Sequence, residues 1–253
     1  MTTYGLVGYP IGHSFSAIYF SEKFKNENID AQYLMFELKS IDELLPLLDR
    51  NPEIKGFNVT IPYKQKVIPL LDSLDEVAKE VGAVNVVRVE WHNGKRILTG
   101  HNSDIYGFYE SIKPFIRPEV HKKALVLGNG GASKAVVAML NRFGIETMVV
   151  SRTKKAGVMT YSEIDKKTLD EYKVIVNASP VGMHPHIDEA PAIPYEYITH
   201  DHLAYDLIYN PDKTLFLRKA EEQGAAVKNG LEMLHLQAIK AWEIWQEKCD
   251  TSN

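Results

Sequence analysis

The chain has 253 residues, 45% of them hydrophobic and 25% charged, with a formal net charge of −4. That is room for two modest domains with packed cores, and the slight acidity gives no generic pull toward nucleic acid or an anionic membrane. The single Cys249 excludes an intramolecular disulfide framework and a thiolate metal cluster; with no run of about 18 apolar residues and no signal-peptide pattern, a reducing cytoplasm and no membrane contact are expected.

Taken in chain order, the first hundred residues alternate strand and helix patterns. Residues 4–8 read as an apolar strand, and PIGHSFS turns into a helix over 17–27. A strand over 31–38 follows, then Ser40 as N-cap of a helix ending near Arg50. In FNVTIPYKQKV, Phe57, Val59 and Ile61 alternate with Asn58 and Thr60, so 55–59 is a third strand, stopped by Pro62. Helical stretches are expected over 64–71 and 75–81. VNVVRVEWHNGKRILTGHN reads as a β-hairpin turning at Asn93-Gly94. This βαβαβ character predicts a first α/β domain with a mostly parallel sheet.

A helix over 104–114 then leads into KKALVLGNGGASKAVVAMLNRFGIETMVVSRT, which is strand, Gly-rich turn, helix and strand. Further strands are expected over 174–179 and 203–209, and helices over 213–223 and 231–247. The second domain is thus another α/β unit, beginning near residue 105.

Gly128, Asn129, Gly130, Gly131 and Ala132 form the turn between an apolar strand and a helix. Glycines there let the backbone approach a pyrophosphate, whose charge the helix N-terminal N–H groups accept. Ser133 stands where the fingerprint has its third glycine. An NAD site usually carries an acid about twenty residues past the turn. Here the second strand ends in Ser151-Arg152-Thr153-Lys154-Lys155 instead. A guanidinium beside a hydroxyl and two ammonium groups attracts a 2′-phosphate, so NADP is the expected cofactor.

Lys64 follows directly on the third strand, and Asp104 opens the helix toward the second domain. A free ammonium, with a pKa near about 10.4, is a poor base at neutral pH and needs a partner. Asp104 has two readings: a helix-capping carboxylate, or the group that orients Lys64 and shares a proton with it beside a substrate hydroxyl.

Several blocks, in order, make the chain resemble the shikimate dehydrogenase family over nearly its full length: GYPIGHSFS, FNVTIPYK, VGAVN, GHNSD, GNGGAS, SRT, VNASPVGM, YDLIYNPDKT and NGLEMLHLQA. The resemblance implies that Ser14 and Ser16 hold a substrate carboxylate and that Lys64 and Asp104 are catalytic. It further implies that Thr60, Asn85, Asn102, Tyr209 and Gln237 meet a small polyhydroxylated ring acid. It adds Leu207 and Gly230 to the cofactor set of Gly128, Asn129, Gly130, Gly131, Ala132, Ser151, Arg152, Thr153 and Lys155. The implied architecture is a substrate domain over 1–103, completed by a C-terminal helix over 232–253 that returns to it, and a Rossmann-like NADP domain over 104–231. The implied reaction interconverts shikimate and 3-dehydroshikimate in the making of chorismate and the aromatic amino acids. The partner is a small molecule, with no metal, and the chain is a monomer or homodimer.

Ser151 stands where the family's clamp often has asparagine, and the segment over 154–165 is too short for the usual crossover helix, so this edge of the domain is expected to be reduced. His13, beside the serines, reads as structural, His184 and His186 as solvated, and Trp242 and Trp245 as core. Three other functions remain open from sequence: a quinate/shikimate dehydrogenase using NAD, a folate dehydrogenase of similar fold, and a cofactor-binding sensor without catalysis.

Overall fold

The computed structural model describes residues 1–12 and 14–247. His13 and Cys249 lie outside the described residues. The chain divides into two compact units, one holding residues 1–103 and the chain from Gln237 onward, the other Asp104–Leu236.

In the first unit, β1 (Thr2–Gly8), α1 (Phe15–Asn26), β2 (Ala31–Glu37), α2 (Leu44–Arg50) and β3 (Ile54–Val59) follow one another. After them come β4 (Ser73–Leu74), α3 (Glu76–Val81), β5 (Val86–His92) and β6 (Lys95–His101). The sheet order is β2-β1-β3-β5-β6-β4, antiparallel only where β5 pairs with β3 and β6. Asn93 and Gly94, with φ of 51° and 77°, form the two-residue turn of the β5–β6 hairpin, the left-handed pair that strand twist favours. Ser40 and Glu43 form a capping box at the short 3-10 turn that leads into α2.

Alternation along β1 builds a core on each face. Val7 joins Leu44, Leu48, Phe57 and Val59 on one side, while Tyr4 and Leu6 join Phe20 and Phe24 on the other. The second cluster is completed by the last helix, α8 (Leu231–Gln246), through Ala238, Ala241, Ile244 and Trp245. Trp245 stacks on Tyr4 at 4.7 Å between centroids, and its indole N–H donates to the Val87 carbonyl at 3.0 Å. A Cβ on Gly56 would lie 2.3 Å from that indole nitrogen, so the glycine in β3 is the seat of the ring. The final helix therefore does pack on the first unit.

The expected helix over 64–71 is absent. Residues 64–67 form turns, followed by a 3-10 helix over Ile68–Leu70. Two causes are visible. The Lys64 carbonyl accepts the Val84 N–H at 2.7 Å, and Pro69 has no N–H to give the Gln65 carbonyl.

The second unit holds α4 (Asp104–Ile112), β7 (Lys123–Leu127), α5 (Gly131–Arg142), β8 (Glu146–Ser151), β9 (Val158–Thr160), α6 (Lys166–Glu171), β10 (Val174–Asn177), β11 (Leu203–Asp206), α7 (Leu215–Glu222) and β12 (Ala226–Lys228). All six strands are parallel, in the order β12-β11-β10-β7-β8-β9. Nearly every residue of β7, β10 and β11 is buried, as parallel strands covered on both faces must be. Strands β4, β9 and β12 and helix α6 were not anticipated, and β10 and β11 stop at Asn177 and Asp206, short of the expected 179 and 209. No helix joins β8 to β9: a short loop carries the chain back so that Val158 pairs with Val149 and Thr160 with Ser151. The reduced edge expected from the short segment is present.

Candidate active site

Lys64 and Asn102 are both anchored to the segment Ala83-Val84-Asn85, which itself carries Asn85. The Asn102 amide donates to the Ala83 carbonyl at 2.9 Å, and Val84 N–H holds the Lys64 carbonyl at 2.7 Å. Asn85 receives the most attention. Its carbonyl accepts Val59 N–H at 2.9 Å and the Asn58 amide at 3.2 Å, while its own N–H donates to the His101 carbonyl at 3.1 Å. Its side chain exchanges hydrogen bonds with Ser103, giving to Oγ at 3.0 Å and accepting from N–H at 2.7 Å. Lys64, Asn85 and Asn102 are thus hung on three consecutive residues. Thr60, just past β3, is held instead on β1, its N–H on the Val7 carbonyl at 2.9 Å.

Tyr33, on β2, extends this network toward the serines. Its hydroxyl donates to Asn58 Oδ1 at 2.8 Å, with Ser16 close enough to act on it. Burial pushes the phenol well above its usual range, against the opposing pull of Ser16, so it remains a donor. Ser14 caps α1 by position but gives it no side-chain hydrogen bond. Tyr33 and Ser103 were not singled out from sequence: the tyrosine passes for one more apolar strand residue, and the serine lies between two conspicuous neighbours in GHNSD. Asp104 is buried at the start of α4, 1% exposed, immediately after Ser103. Gln237 sits half-buried on α8.

In the second unit the order of strands reverses between β7 and β10, the place where open α/β sheets bind ligands beyond their strand ends. Gly128, at the end of β7, has φ of 118°, and a Cβ there would lie 2.9 Å from the Ala178 carbonyl oxygen just beyond β10. Gly130 is the N-cap of α5, with open space where a Cβ would be and no acid in the helix's first turn. Asn129 is exposed, Gly131 and Ala132 half-buried. Ser133 is tolerated in the glycine position because its hydroxyl is spent on the Gly130 carbonyl at 2.7 Å. The residues therefore fit a pyrophosphate: open backbone, unopposed N–H groups and no anion. At the end of β8, Ser151 Oγ bonds the backbone of Thr153, shaping the turn, while Arg152, Thr153 and Lys155 are exposed.

Leu207 and Gly230 are brought into contact. A Cβ on Gly230 would lie 2.1 Å from the Leu207 carbonyl oxygen, and Gly230 N–H bonds the Ile208 carbonyl at 3.1 Å. Tyr209 follows on the same loop, exposed. Three residues before it is Asp206, fully buried and missed from sequence. Its carboxylate accepts Thr214 Oγ1 at 2.6 Å, Ile208 N–H at 3.0 Å and the Asn177 amide at 3.1 Å. Burial outweighs these bonds and raises its pKa from 3.8 to about 6.

The sign of this shift sets a prediction. An acid raised by folding costs stability once it must ionise, so the cost is absent below about pH 4, grows to about pH 6 and is constant above. Asp206→Asn should gain on the wild type across that window, by at most about 3 kcal/mol. Urea unfolding of both proteins at several pH values measures it; a difference that does not change with pH refutes it.

Residues 6–87 match the family model of the shikimate dehydrogenase substrate-binding domain. The shikimate dehydrogenase (NADP(+)) of Aquifex aeolicus is 39% identical, the match covering 96% of this chain and 90% of the relative. A crystal structure of a shikimate dehydrogenase in complex with NADP+ has a TM-score of 0.84 at 32% identity, over 97% of this chain and 90% of the other. The shikimate 5-dehydrogenase of Listeria monocytogenes, solved with shikimate and NAD, also has a TM-score of 0.84, at 30% identity over 98% and 92% of the two chains. On this near full-length similarity, the chain belongs to the shikimate dehydrogenase family.

Proposed function

We propose that the chain catalyses the NADP-dependent interconversion of shikimate and 3-dehydroshikimate. The observation that carries this reading is the convergence of Lys64, Asn85 and Asn102 on residues 83–85. It anchors the Lys64 backbone and the amide side chains of Asn85 and Asn102 to one short segment, in a chain whose relatives are shikimate dehydrogenases. Ser14 and Ser16 take the carboxylate of the ring acid; Thr60, Asn85, Asn102, Tyr209 and Gln237 take its hydroxyls. Lys64 and Asp104 remove the proton of the reacting hydroxyl in one direction and return it to the ketone oxygen in the other. The cofactor, when bound, supplies the hydride acceptor or donor. Gly128, Asn129, Gly130, Gly131 and Ala132 receive its pyrophosphate, with Leu207 and Gly230 lining the neighbouring strand end. Ser151, Arg152, Thr153 and Lys155 take its 2′-phosphate. The reading extends to chorismate synthesis for the aromatic amino acids, in the cytoplasm, by a monomer or homodimer with no nucleic-acid partner.

The test follows formation of reduced nicotinamide with shikimate or quinate against NADP+ or NAD+. Turnover with shikimate and NADP+ well above the other three combinations is expected; comparable turnover of quinate moves the chain to the broader quinate/shikimate reading. Arg152→Ala should raise KM for NADP+ several-fold and leave that for NAD+ in place. An equal rise for both removes the 2′-phosphate assignment.

A further inference from the structure

The shortened connection between β8 and β9 brings an acid to the basic turn. Pairing of Ser151 with Thr160 places the end of β9 beside the start of the Arg152–Lys155 run. Glu163 is fastened there: its Oε2 accepts Thr160 N–H at 2.7 Å and Thr160 Oγ1 at 2.8 Å, and its Oε1 is ion-paired with Lys154 Nζ. These bonds, the lysine first, hold the carboxyl down at about 2, so it is an anion at every working pH. The Arg152 charge is felt at the hydroxyl of Tyr161, which opens the 3-10 turn that Glu163 closes. The chain has no acid at the end of β8 itself, yet folding supplies one from the 3-10 turn (Tyr161–Glu163) that follows β9.

We infer that Glu163 is a specificity-determining residue: its carboxylate neutralises Lys154 and opposes a 2′-phosphate, so the chain prefers NADP over NAD less strongly than its basic run implies. The inference rests on the clamp assigned under Proposed function. Arg152 and Lys155 carry the attraction, while the Lys154–Glu163 pair is close to neutral toward the phosphate. Removing one charge of an exposed pair unbalances it in a known direction.

Calorimetric titration of the intact protein with adenosine 2′,5′-bisphosphate and with adenosine 5′-monophosphate isolates this effect from catalysis. Glu163→Gln keeps an oxygen for the Thr160 cap and should tighten the bisphosphate about two- to fivefold, leaving the monophosphate unchanged. Lys154→Ala, which leaves the cap untouched, should weaken the bisphosphate by a similar factor. Unchanged or weaker bisphosphate binding in Glu163→Gln overturns the inference. Arg152→Ala separates the two layers. If it weakens both ligands equally, the clamp falls and the inference with it. If it weakens only the bisphosphate while Glu163→Gln does nothing, the clamp stands and the inference alone is wrong.

Discussion

Lys64→Ala is expected to lower kcat by about 10²–10⁴-fold, the range for removal of a positioned acid–base group, with the Kd for NADP+ essentially unchanged. The structure makes this substitution a clean one. The turn that carries Lys64 is held by backbone bonds, Tyr63 N–H to the Thr60 carbonyl, Val67 N–H to the Tyr63 carbonyl and Val84 N–H to the Lys64 carbonyl, and alanine keeps all three. What is lost is the ammonium. Asp104→Asn retains the shape of the side chain and loses its charge, and should produce a fall of the same order. Because the two groups are proposed to handle one proton, the double variant should be little worse than the poorer single one. Stopped-flow and steady-state rates with shikimate and NADP+ decide the matter. Near-normal turnover in either single variant removes the proton-handling role, and additive losses remove the pairing.

Trp245→Ala should cost the first unit about 3–5 kcal/mol, as for large aromatic truncations in a core. The ring does three things at once. It stacks on Tyr4, lies 5.2 Å from the ring of Phe20, and donates its N–H to the Val87 carbonyl. Alanine leaves a cavity and removes the indole N–H bond together. Gly56→Ala attacks the same contact from the sheet side by pushing the indole off its seat, at about 1–3 kcal/mol. Trp91, Trp242 and Trp245 are the chain's three tryptophans and all belong to the first unit, so tryptophan fluorescence reports its unfolding selectively. An unfolding midpoint in urea that Trp245→Ala leaves in place would show that α8 does not hold this core together.

Patterns that depend on nearest neighbours were legible in the sequence. Asn-Gly between alternating strands can hardly be anything but a hairpin turn, and Ser40 reads as the N-cap it is. Features decided at long range were not. The turn at Lys64 looks helical until Val84, twenty residues on, takes its carbonyl. Strand β9 is three residues long and exists because β8 offers it an edge. For the site, residues with conspicuous chemistry such as Lys64, Asp104 and Gly128 stood out, whereas those that hold them did not. Tyr33 works by its hydroxyl from an otherwise ordinary strand. Ser103 and Asp206 act through bonds to Asn85 and Asn177 that no spacing rule predicts. Gly230 is readable as a glycine required only after the Leu207 backbone is seen against it.

The first unit is discontinuous: it opens the chain and is finished by residues beyond 236, with the second unit inserted between. Synthesis on the ribosome therefore runs against the usual order, in which the N-terminal domain folds first. The inserted unit has all its strands once β12 has emerged, while Tyr4 and Phe20, made at the outset, wait for Trp245 near the end. Until then one face of the first sheet, with α1 on it, lacks the rest of its apolar cover on a nascent polypeptide. The earliest-made part of this enzyme is thus the last to have its core completed.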